Sequence, residues 1–232
     1  MSERVRIRFK RQGPMRYLGH LDMMRYFQKA VLKAGLDVKY TEGYHPHQIM
    51  AFAYPLAVGM ETYGDYADIE FNTVNDPEEI VKKLNGVMRE GTYATGAVLL
   101  PEKALNAMAA VEAADYEVIY DIPGCSCEEV KEASKRAVET LLSSESVTAG
   151  KSGKNIREGI LFADVSFTED ENRLILKLLS GSKLNARPAD VFNAFAEAFG
   201  ERKAVSRLIR RLEIYGKNEQ GELVPLGSEG VL

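Results

Sequence analysis

The side chains best suited to chemistry stand close together near the N-terminus. All three histidines, His20, His45 and His47, fall before residue 48, and Tyr44 adjoins His45. Acid–base cleavage of RNA needs one group near a 2′-hydroxyl and another near the leaving oxygen. His20, His47 and Tyr44 are the candidates for those catalytic roles. His45-Pro46-His47 also has the H-x-H spacing that can ligate zinc from one strand, with His20 or Asp22 to complete the set. Nothing in the sequence demands that set, so no metal and no other cofactor is expected. Cys125 and Cys127 are the only cysteines, too few for an iron–sulfur cluster or a disulfide framework. They read as ordinary thiols. Lys151-Ser152-Gly153-Lys154 lacks the Walker spacing and reads as a basic loop that could touch a phosphate.

Positive charge is concentrated in the same block. Arg4, Arg6, Arg8 and Lys10 alternate with Val5, Ile7 and Phe9, the period of a strand with one apolar and one basic face. Guanidinium groups pair bidentately with phosphates, and an open sheet face is a common RNA platform. Arg4, Arg6, Arg8, Lys10 and Arg16 are therefore expected on phosphates, helped by Arg207, Arg210 and Arg211, with His20, Tyr44 and His47 lining the cleft. Residues 1–52 carry 10 Lys/Arg against 4 Asp/Glu, residues 53–149 carry 7 against 18, and residues 150–232 carry 13 against 12. A basic front beside an acidic middle separates a polyanion surface from one suited to a basic partner. Asp65, Asp68 and Glu70 would mark the second.

The elements that must hold these groups can be read in order. Residues 20–34 form a helix with Leu21, Met24, Phe27 and Val31 on one side, Lys33 in the last turn and Gly35 as the stop. Strand signals follow at Val38–Thr41, Gln48–Tyr54 and Tyr66–Phe71. Asp76-Pro77-Glu78-Glu79 opens a second helix with a cap, a proline and first-turn acids, and Ala97–Leu100 is a short strand. The order β-α-β-β-α-β then recurs. Tyr116–Ile122 is a strand, and Ser126 with Glu129 makes a capping box. Ile156–Phe167 and Arg173–Leu179 form a hairpin, Pro188 opens a helix, and Val205–Tyr215 is a strand paired with Leu223–Leu226. The expected fold is α+β: two tandem ferredoxin-like βαββαβ units with antiparallel sheets, RAMP-like overall. The expected domains are residues 1–105 and 112–232.

The 232 residues are 45% hydrophobic and 28% charged, normal globular values. No apolar run approaches the ~18 residues of a membrane span, and the charged start from Glu3 to Arg11 lacks the apolar stretch of a secretory signal. The expected location is the cytoplasm, with no membrane partner.

The N-terminal block also carries a resemblance. Arg8-Phe9-Lys10, Gly13 through Asp22, Arg25, Ala30, Gly35, Gly43-Tyr44, Pro46, Phe52-Ala53-Tyr54-Pro55-Leu56, Gly59 and Glu61 resemble the radical SAM-linked protein family, a bacterial domain of unknown function found alone or fused behind radical SAM enzymes. The motif-rich part covers about residues 4–71, with Arg187-Pro188 a later point. Gly19, His45 and Gln48 stand where that family usually has Ser, Asn and often Pro, which favours His20 and His47 over His45. The resemblance implies the stand-alone form and a separately encoded radical SAM enzyme as partner. The first functional reading is a non-catalytic RNA-recognition accessory in RNA modification or maturation, with RNA as its other partner. The second is a protein-only adaptor that docks through the acidic middle. The third is a metal-independent endoribonuclease.

Overall fold

In a computed structural model, the structure describes all residues except Met1, Asn75, Lys151, Ser152, Ser182, Lys183, Glu201, Lys203, Glu229, Gly230 and Leu232. The chain is mixed α+β and divides into two compact units, residues 1–112 with 213–232, and residues 113–212. The segment 213–232, expected with the second domain, clusters with the first unit instead.

The first unit begins with β1 (Glu3–Arg11), a 3₁₀ turn over Gly13–Tyr17 and α1 (His20–Lys33). It continues with β2 (Met50–Phe52), β3 (Glu61–Phe71), α2 (Pro77–Asn85), β4 (Thr92–Leu100) and the short α3 (Ala107–Ala110). β1 lies between β3 and β4, antiparallel to both, and β2 pairs with residues 67–69 of β3. The strand order is thus β4-β1-β3-β2. Thr41 and its neighbours, expected as a strand, make only isolated bridges at Val38 and Tyr40.

Alternation along β1 sends Val5, Ile7 and Phe9 into one core with Phe27, Ala30 and Val31 of α1 and with Ile80 and Leu84 of α2. Phe27 stands 4.7 Å from Phe9 and 5.2 Å from Phe52, ring centre to ring centre. Burying such a ring contributes about 1.5–3 kcal/mol, and its removal leaves a cavity as well, so Phe27→Ala costs about 3–5 kcal/mol. α2 starts where expected: the Asp76 side chain accepts from Glu78 N–H at 2.9 Å, with Pro77 in the first turn.

The second unit holds β5 (Ala113–Asp121), α4 (Cys127–Ser143), the two-residue strands β6 (Thr148–Ala149) and β7 (Lys154–Asn155), β8 (Ile160–Phe167), β9 (Asn172–Leu179) and α5 (Pro188–Glu197). β10 (Val205–Lys217) gives residues 205–212 to this unit and 213–217 to the first, where β11 (Leu223–Pro225) pairs with it. In the second unit the order is β10-β5-β9-β8. The Ser126–Glu129 capping box forms as expected. Tyr120, Phe192 and Phe195 pack together, and the Tyr120 hydroxyl donates to Ser134 Oγ at 2.7 Å. Burial pushes that hydroxyl up to about 12, against a weaker lowering by Ser134.

No helix among the described residues is long and apolar enough to cross a membrane.

Candidate nucleic-acid interface

The basic row on β1 does point away from the helices, but that face is not open. Arg6 is 1% exposed and Asp68 3%. The two form a bidentate pair at 2.8 and 2.9 Å. Arg6 also donates to the carbonyls of Leu105 and Leu226, while Asp68 accepts from Ala107 N–H at the start of α3. Arg4 donates to the carbonyl of Ala104. The chain after β4 therefore folds back over this face, and the guanidinium groups serve its carbonyls rather than a ligand's phosphates. Arg8 pairs with Glu213 at 2.9 Å, and Lys10 lies over the Tyr63 ring. Glu213 also accepts from Tyr66 at 2.7 Å, and burial together with that carboxylate holds the Tyr66 hydroxyl well above its ordinary range.

The other expected contacts are spoken for in the same way. Arg16 stacks on Tyr17 and reaches Glu61 at 3.7 Å. Arg207 pairs with Asp121 at 3.1 Å, Arg210 pairs with Glu117, and Arg211 is fully buried. Asp65 and Asp68, expected on an acidic docking surface, are both buried, and Glu70 pairs with Lys39 at 3.4 Å. Lys151 and Ser152 of the basic loop lie outside the described residues.

The histidines do not assemble either. His20 opens α1 and meets Phe52 edge-on. His47 contacts the Thr41 hydroxyl across an exposed loop, where Tyr44 is fully exposed. No hydrogen bond or ring contact joins His20, Tyr44 and His47 among the described residues, and no group of His, Cys, Asp or Glu there could hold a metal. Asp22 sits in the first turn of α1 and pairs with Arg25 at 3.4 Å.

A different group of cations does converge. Arg25, Lys29 and Lys33 recur every fourth residue along α1, a spacing that stacks them on one side of a helix. With Asp22, Tyr26 and Ala30 they line one wall of a groove of about 600 Å³, and Val87 and Arg89 form the other. Met15 and Leu18 close the floor. The second wall is tied down by Arg89 N–H donating to Tyr26 Oη at 2.8 Å. The turn that carries Met15 is held from several sides. Gly13 N–H donates to Glu61 at 2.8 Å, Arg11 to the Leu18 carbonyl at 3.1 Å, and Gln12 N–H to the Gly91 carbonyl at 2.8 Å. Gly91 has φ of +90°, and a Cβ there would stand 2.7 Å from Gln12 O and 3.0 Å from Met15 Cγ.

Among the described residues no carboxylate lies within ion-pair reach of Lys29, Lys33 or Arg89, and Asp22 is the groove's one acid. The spacing of Arg25, Lys29 and Lys33 is legible in the sequence as a cationic stripe. Arg89 is not, because it comes from a distant segment.

Residues 4–188 match the family described as an uncharacterized protein conserved in bacteria (DUF2344). The chain belongs to that family. The match runs far past the motif-rich stretch 4–71, and the description names no radical SAM enzyme. Several motif residues of this DUF2344 chain hold the groove's turn: Gly13, Gly59, Glu61 and Arg16, whose carbonyl accepts from Gly59 N–H at 2.9 Å. No curated protein matches the sequence. Among solved structures, a chain in the crystal structure of a Cbf5-Nop10-Gar1 complex is similar at 9% identity and a TM-score of 0.50, covering 90% of this chain and 48% of that one. A chain of the archaeal box H/ACA sRNP Nop10-Cbf5 complex gives 8% identity and 0.42, covering 89% and 46%. The chain spans about half the length of both, and at 9% identity the likeness to the first is one of fold.

Proposed function

We propose that this protein is a non-catalytic RNA-recognition accessory that holds a strand along the outer side of α1. The observation that carries the reading is the groove itself: three cations without a carboxylate partner, and Arg25 beside them, over an apolar floor. Backbone phosphates supply most of the affinity in such contacts. We read each unit as ferredoxin-like, since each has the strand order 4-1-3-2 within a βαββαβ sequence. In that reading the helices, not the sheet, carry the RNA surface of the first unit, because the sheet face is occupied by the chain itself. The RNA would be presented to a modification enzyme. The radical SAM partner implied by the resemblance can be sought by copurification. The adaptor reading loses its expected surface, since Asp65 and Asp68 face inward.

The test is a salt titration of binding to total cellular RNA. Four phosphate contacts give a slope of log K against log salt of about −3 for single strands. Lys29→Glu with Lys33→Glu should flatten it by about 1.5 or more. No binding by the wild-type protein at low salt would overturn the proposal.

A further inference from the structure

Resting on that RNA reading, we infer that the groove beside α1 is a site for an unpaired base, and that the ligand is single-stranded RNA rather than a duplex. A surface that met only phosphates would need the cations and nothing more. This groove has a floor of Met15 and Leu18, with Ala30 and Tyr26 on one wall and Val87 on the other, and the exposed Arg25, Lys29, Lys33 and Arg89 with the one acid Asp22 form its rim. An apolar floor under a cationic rim matches a nucleotide in cross-section, with a base beneath and charged oxygens above. The volume of about 600 Å³ lies within the 300–1,000 Å³ common for small-ligand pockets. A paired strand keeps its base faces stacked on one another and would meet only the rim. An unpaired one can turn a base inward and stack it on apolar and aromatic side chains.

The rim has a matching direction. Cations four residues apart on a helix are separated by about 6 Å along its axis, so Arg25, Lys29 and Lys33 form a track for successive phosphates of an extended strand. Arg89 stands across the floor from that track. An acidic helical peptide is the other occupant that these charges would admit, and the comparison of ligands separates the two.

The decisive comparison uses one fluorescent RNA 12-mer in three forms: single-stranded, annealed to its complement, and single-stranded with an abasic site at every position. All three have phosphates; only the first offers accessible bases. Anisotropy should show the duplex at least tenfold weaker, and the abasic strand weaker by about tenfold per base lost into the floor. Val87→Ser, or Met15→Ser if the first variant unfolds, should weaken the intact strand and leave the abasic strand unchanged. Equal affinity for intact and abasic strands, with an unchanged salt slope, would overturn the base site while leaving the RNA reading standing. Tighter binding of the duplex would do the same. Failure of every RNA form, with capture of an acidic amphipathic peptide instead, would overturn both.

Discussion

At the scale of single residues, the Arg6–Asp68 pair shows why the basic row is not a ligand surface. A guanidinium this deep is tolerated because Asp68, Leu105 and Leu226 satisfy it. Removing one partner of a buried pair leaves an uncompensated charge and costs about 3–5 kcal/mol. Asp68→Ala should lower unfolding stability by that amount in urea. Arg6→Met with Asp68→Leu should lose less than the two single variants together. A loss below about 1 kcal/mol for Asp68→Ala would show that the pair is open to water. Charge reversal at Arg6 is accordingly expected to unfold the first unit, not merely to weaken a ligand. Tyr120 supplies a pH signature. Its hydroxyl ionises near 10 in the unfolded chain and at about 12 in the fold. The raised value means its stabilising contribution is whole below pH 10 and is lost as pH rises towards 12, with a slope of up to about 1.4 kcal/mol per pH unit. Between those pH values Tyr120→Phe should give a flatter stability curve than wild type. Parallel curves would show that the ring is not buried as described.

Among the elements, α1 does most to define the candidate site, and its sequence announces both of its faces. Phe27 and Val31 mark the buried side, and Arg25, Lys29 and Lys33 mark the outer one. The other groove wall could not be read in advance, because Val87, Arg89 and Met15 meet α1 only through long-range folding. The critical contact is Gly91 against the 3₁₀ turn. Gly91→Ala combines a strained φ with a clash against Gln12 and Met15, so it should destabilise the protein by about 1–3 kcal/mol and weaken RNA binding as the floor shifts. Normal binding and stability in that variant would remove the turn from the site. The cover over the basic face of β1 is not legible in the sequence for a related reason. Alternation tells which side a residue faces, but not that the chain after Pro101 returns to cover that side. The loop histidines invited a catalytic reading by type and proximity in sequence, and the fold leaves them without mutual contacts. Helix starts were the most legible features, since Asp76-Pro77 and Ser126–Glu129 are local chemistry that needs no tertiary partner.

On the scale of the whole molecule, the second unit is an insertion in the chain of the first. Glu112 N–H donates to the Tyr215 carbonyl at 2.9 Å and Glu112 pairs with Lys217 at 2.9 Å, so the two points where the first unit's chain is interrupted lie side by side. Joining residue 112 to residue 213 through a short Gly/Ser linker should give a protein that unfolds cooperatively and retains the α1 groove. A non-cooperative product would mean that the first unit depends on the inserted one. This discontinuity has a consequence for synthesis. A ribosome adding about 5–20 residues per second needs about 5–20 seconds to make the intervening hundred residues. Throughout that interval the nascent first unit lacks Glu213, which Arg8 and Tyr66 require, and Leu226, whose carbonyl Arg6 requires. A product terminated in that interval would keep Arg6 on Asp68 and Leu105 but leave Arg8 and Tyr66 without their carboxylate, a ready target for chaperones or proteases.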